Sequence, residues 1–99
     1  MTTIHHMRKL IDHHRARLNE WGICEIGLFG SYVRGEEHSH SDVDILIDIE
    51  RPTKMDLLDL IALEQELSEE LATTVDLVLK SNLKPAIRQT ILSEVEYFF

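Results

Sequence analysis

Residues 42–49, Asp-Val-Asp-Ile-Leu-Ile-Asp-Ile, constrain this chain more than any other stretch. Side chains alternate across a β-strand, so residues i and i+2 share a face. Val43, Ile45, Ile47 and Ile49 then line one face, and Asp42, Asp44 and Asp48 the other. A later run repeats the pattern: Val75, Leu77 and Leu79 on one face, Asp76 on the opposite one. The sheet built from such strands has one greasy face and one that carries acid. The expected fold class is α/β (α+β), a small mixed sheet with helices packed on its apolar face.

The remaining elements follow from periodicity. Ile4, Met7, Ile11, His14, Leu18 and Trp21 recur at three- and four-residue spacing, which predicts a helix over 3–20 that Gly22 ends. Residues 23–29 read as a strand, 31–35 as a short helix, and 36–41 as a loop rich in His, Ser and Glu. Pro52 and Thr53 open a long helix to about Leu71, with Leu57, Leu60, Leu63, Leu67 and Leu71 on or near one face. Thr73 to Leu79 make a third strand, and a last helix starts near Leu83 or Pro85 and runs to about Val95. Gly30-Ser31 closes the first strand, and Asp42 and Asp44 open the second. These meet only if the two strands are antiparallel. Asp76 joins them only if strands two and three are parallel, and the intervening helix is long enough for that crossover.

Asp42 and Asp44 project into one space, and two carboxylates held that close repel unless a cation lies between them. Hard oxygen ligands suit Mg²⁺, which is usually held by one or two carboxylates plus substrate phosphates. The Gly30-Ser31 turn offers backbone N–H groups and a hydroxyl, which suit phosphate. Metal carboxylates beside a phosphate cradle imply phosphoryl or nucleotidyl transfer.

Composition bounds the rest. Ninety-nine residues, 43% of them hydrophobic, make one compact domain spanning 1–99. No signal peptide or membrane-spanning run is evident, and the lone Cys24 fits a reducing cytoplasm. A net charge of −8 without a basic patch argues against direct nucleic-acid binding and favours a basic protein partner.

Gly30-Ser31, ten residues, then Asp42-x-Asp44 resembles the signature of the nucleotidyltransferases of the DNA polymerase β superfamily, with Arg34-Gly35 and Ser41 as flanking support. The short length resembles the minimal nucleotidyltransferase (MNT) proteins, commonly paired as antitoxins with HEPN-domain RNase toxins. The resemblance implies a polymerase β-like fold in which Gly30 and Ser31 contact the nucleotide phosphates. It implies that Asp42 and Asp44 bind Mg²⁺ and that Asp76 is the third carboxylate. It further implies ATP as donor and AMP transfer to a tyrosine of a basic, helical toxin in a hetero-oligomer. Larger relatives carry a second domain for acceptor binding, so here an acceptor or a partner must complete the site. Two other readings stand beside this one: an antitoxin that neutralises by binding alone, and a transferase acting on a small molecule with a helical partner subunit.

Several residues have simpler readings. Ser31 can be a helix N-cap, a role compatible with phosphate binding. Arg34 pairs with Glu36 or Glu37, or serves a phosphate near the site. Asp48 reads as a solvated edge. His5-His6 and His13-His14 are adjacent on a helix and diverge, without cysteines at zinc spacing, so surface histidines are expected, with His14 half-buried. His38 and His40 lie in the motif loop. The run Glu64, Glu66, Glu69 and Glu70 reads as a solvated helix face. Tyr97-Phe98-Phe99 either packs on the core or stands exposed as an interface anchor.

Overall fold

Helix α1 (Ile4–Glu20) begins where the Thr3 hydroxyl accepts the His6 N–H at 3.1 Å, and it stops at Gly22, whose φ is +85°. It buries Met7, Ile11 and Leu18, the stripe its periodicity predicts. The computed structural model describes residues 3–38, 42–50, 53 and 55–99. The expectations placed on His40, Ser41 and Pro52 lie outside the described residues.

Strand β1 (Ile23–Phe29) leads into the four-residue helix α2 (Ser31–Arg34), then come β2 (Val43–Ile49), α3 (Leu57–Leu71) and β3 (Val75–Leu79). A 3₁₀ turn (Lys80–Asn82) precedes α4 (Pro85–Glu94), and β4 (Glu96–Tyr97) follows it. The sheet order is β3-β2-β1-β4. β1 runs antiparallel to β2 and to β4, whereas β2 and β3 are parallel. Both conditions set by the sequence are therefore met. Among the described residues no helix is long and apolar enough to cross a membrane.

The main core lies between the sheet and helices α1 and α3. Val43, Ile45 and Ile47 of β2 meet Met7, Ile11 and Leu18 of α1 and Leu63, Leu67 and Leu71 of α3 in one buried cluster. Each such aliphatic side chain contributes about 1.5–3 kcal/mol on burial.

The expectation that the helices share one face holds for α1 and α3 and fails for α4. Phe29, Leu46 and Leu83 form a second buried cluster with Val78, Ile91, Leu92 and Val95 packed against it. Phe29, Leu46 and Val78 alternate with the main-core residues of their strands, so this cluster lies on the opposite face. The acids occupy the strand starts on that face, and the apolar residues further along β2 and β3 give α4 something to cover.

Two further corrections concern helix α3, and the chain end divides between the two alternatives left open for it. α3 starts at Leu57, not at Thr53. Asp56 accepts the Asp59 N–H at 2.8 Å, and Asp59 accepts the Asp56 N–H at 3.1 Å, a reciprocal cap that fixes the start. Thr53 instead donates its hydroxyl to the Trp21 carbonyl and accepts the Met55 N–H. Leu57 consequently stands 70% exposed rather than in the apolar stripe. Glu64 is not merely solvated: it accepts the Leu77 N–H at 2.9 Å, while Ser68 Oγ accepts that of Val75 at 2.9 Å. Two amides of edge strand β3 are thus satisfied by α3 side chains, which blunts the edge. Phe98 is 7% exposed and packs on the core, whereas Tyr97 is 39% exposed. The Arg8 and Arg15 guanidinium groups lie 5.3 and 4.7 Å from the Phe98 and Phe99 ring centroids.

Candidate active site

Phe29, the last residue of β1, is the register partner of Asp44 on β2. The next residue, Gly30, turns the chain with φ +83°. A Cβ there would lie 2.3 Å from Asp44 Oδ2. Glycine is needed twice over, for the backbone angle and for the carboxylate that fills the space. Gly30 is the N-cap of α2, and Ser31 is the first helical residue, so Ser31 is not the cap itself. Gly35, at φ +70°, ends the helix as its left-handed C-cap.

Asp44 and Asp76 are register partners on parallel strands, which places them side by side. Asp42, just before β2, is exposed and projects to the same side two residues earlier. Asp44 is half-buried. Desolvation pushes its carboxyl above the ordinary carboxylate range, and the charges of Asp76 and then Asp42 push it further, against an opposing pull from Arg34. Asp76 is raised as well, by desolvation first and then by Asp42 and Glu64. Among the described residues none of the three carboxylates has an ion-pair partner. The set offers hard oxygen donors, mutual repulsion and one shared face, which is the chemistry that suits a divalent cation such as Mg²⁺. Their oxygens do not all lie within 4.8 Å of one another. Among the described residues that degree of closeness belongs to His14, Glu66 and Glu70. This last group joins α1 to α3, with His14 paired to Glu70 at 3.0 Å and Glu66 to Arg17 at 2.8 Å.

Arg34 pairs with Glu36, one of its two predicted partners, at 3.0 Å. It also donates through Nη1 to both oxygens of Glu94, at 3.2 and 3.3 Å. Glu94 Oε1 in addition accepts the Gly30 N–H at 3.0 Å. Sequence reading missed Glu94, because only the docking of α4 on the acidic face brings residue 94 to residue 30. Phe29, Gly30, Arg34, Asp44 and Glu94, with Ile87, Thr90 and Ile91 of α4, line a cleft of about 310 Å³. A larger hollow of about 460 Å³ lies against Pro85, Arg88, Gln89, Leu92 and Ser93 on another flank of α4. It has no carboxylate in its lining, so the smaller cleft is the one with chemistry. His38 is exposed.

Residues 10–98 match the nucleotidyltransferase domain family. A curated relative, the protein adenylyltransferase MntA of Thermococcus cleftensis, is 47% identical over 98 residues, covering 98% of this chain and 97% of the relative. A solved structure provisionally assigned as a minimal nucleotidyltransferase superposes with a TM-score of 0.78 at 28% identity, covering 96% of this chain and 95% of that one. A crystal structure of a toxin–antitoxin with AMP-PNP superposes with a TM-score of 0.75 at 27% identity, covering 92% of this chain and 70% of that one.

Proposed function

The chain belongs to the nucleotidyltransferase domain family, and from that premise we propose that it is an antitoxin that transfers AMP from ATP to a tyrosine of a cognate HEPN-type RNase toxin. One observation carries the site: the register of Phe29 against Asp44, and of Asp44 against Asp76, gathers the Gly30 turn and two carboxylates at one end of the sheet. The activity and the partner rest on the adenylyltransferase relative and on the toxin–antitoxin neighbour with its ATP analogue. In this reading residues 1–99 form a single minimal domain acting in the cytoplasm, without direct nucleic-acid contact.

The roles follow from position. Gly30, Ser31 and Arg34 receive the nucleotide phosphates, and Asp42, Asp44 and Asp76 hold Mg²⁺. When bound, Mg²⁺ would supply neutralisation of the charge on the phosphates and on the leaving pyrophosphate. The acceptor oxygen attacks the α-phosphorus in line with the leaving group. The bond from that phosphorus to the bridging oxygen breaks, and the electron pair departs on pyrophosphate. Asp76, exposed beside the cluster, takes the proton of the acceptor hydroxyl. Asp44 is the more enclosed of the pair and serves binding.

Incubating the chain and its cognate toxin with ATP and Mg²⁺, followed by intact-mass spectrometry of the toxin, tests this. Addition of one or more AMP groups on tyrosine, absent with Asp42→Ala, is the expected result. A toxin that stays unmodified yet is inhibited equally well by Asp42→Ala establishes the binding-only antitoxin instead.

A further inference from the structure

Gly30 N–H and Arg34 Nη1 converge on one oxygen, Glu94 Oε1, at 3.0 and 3.2 Å. An amide and a guanidinium aimed at a single anionic oxygen form the arrangement that a phosphate oxygen would receive in this cradle. The Glu94 side chain is 18% exposed, so its charge is largely withdrawn from water and depends on these donors. It lines the same cleft as Asp44, and its charge also pushes the Asp44 carboxyl upward. A further anion beside Asp42, Asp44 and Asp76 works against the electrostatics of the site, and the Gly30 and Arg34 donors offset that cost.

We infer that Glu94 is an internal competitor of the nucleotide: its carboxylate holds the phosphate donors until the phosphates displace it. The inference rests on the nucleotidyltransferase reading above. A carboxylate and a phosphate cannot both take the Gly30 N–H and the inner arm of Arg34. Arg34 keeps its place when Glu94 leaves, because Glu36 holds Nε at 3.0 Å while Nη1 becomes free. Glu94 is the terminal residue of α4, a helix with no fully buried residue, so the side chain can withdraw without opening the main core. The effect is to weaken nucleotide affinity by the fraction of time that Glu94 holds the cradle.

The test is calorimetric titration of the full chain with ATP and Mg²⁺, comparing wild type, Glu94→Gln and Glu94→Ala. Both variants should bind ATP more tightly, by about tenfold if the competitor holds the cradle nine-tenths of the time. Unchanged or weaker binding in both variants, with wild type binding normally, overturns the inference while leaving the nucleotidyltransferase reading intact. If no form binds ATP, both readings fall. A second measurement needs no substitution. In wild type, the NMR signal of the Glu94 side-chain carboxyl should move to that of a free glutamate as ATP saturates the chain. A signal that stays fixed at saturation overturns displacement, and it does so even if the variants fail to fold.

Discussion

Asp44 carries the tension of the site. Its carboxyl, half-buried between the Gly30 turn and Asp76, is pushed up by desolvation and by like charge. A group whose folded pKa is raised binds its proton more tightly in the native state than in the unfolded one. Its contribution is therefore favourable below the ordinary carboxylate value and is lost as pH rises through the raised folded value. Once ionised, Asp44 and Asp76 both cost the metal-free fold stability. Asp44→Asn should accordingly abolish AMP transfer and yet raise Tm at pH 7 by a few degrees, where about 1 kcal/mol corresponds to roughly 4–8 °C. The gain should shrink as pH falls toward 3.8, the unperturbed value, because wild type then carries a neutral group as well. Thermal scans of both proteins across that range are the check, and a lower Tm for Asp44→Asn at pH 7 would refute the account. At this scale much was legible in the sequence. Alternation put Asp42, Asp44 and Asp76 on the acidic sides of their strands, and the parallel pairing of β2 with β3 brings Asp76 to Asp44. Glu94 was not legible, because nothing in its local context distinguishes it from other helical glutamates.

At the scale of elements, the reading succeeded where periodicity is local and failed where neighbours decide. The α1 stripe, the three long strands and the crossover through α3 follow from spacing. α3 starts later than Thr53 because Asp56 and Asp59 cap each other, a reciprocal pair that composition does not single out. β4 was unforeseen, since a two-residue strand has too little pattern to announce itself. Its mark in the sequence is Gly27. A Cβ at Gly27 would lie 2.6 Å from Val95 Cγ2 and 3.1 Å from the Glu96 carbonyl oxygen, so the glycine admits the returning chain. Gly27→Ala should push β4 away from β1 and destabilise the fold by roughly 1–3 kcal/mol. Hydrogen exchange reports it directly: the Phe98 N–H, bonded to the Ile26 carbonyl at 2.7 Å, should lose protection. Unaltered protection at Phe98 would show that the strand pair accommodates the methyl group.

For the molecule as a whole, charge is the informative property. A net −8 gives a field that attracts a basic partner from a distance and fades over about 10 Å at 0.1 M salt. On the proposed function, with a basic toxin as partner, the association rate should fall steeply as salt is raised, while the dissociation rate changes less. Stopped-flow measurement over a salt series decides this, and a rate indifferent to salt would remove charge from the account of docking. The sequence made the sign of that field plain, but not which surface meets the partner, because docking depends on how helices are arranged rather than on their composition. The pairing of Ile26 with Phe98 has a consequence in time. A nascent chain leaves the ribosome with Gly30 and Arg34 far ahead of Glu94, and contacts between distant segments form late. The cradle is thus synthesised before the side chain that fills it.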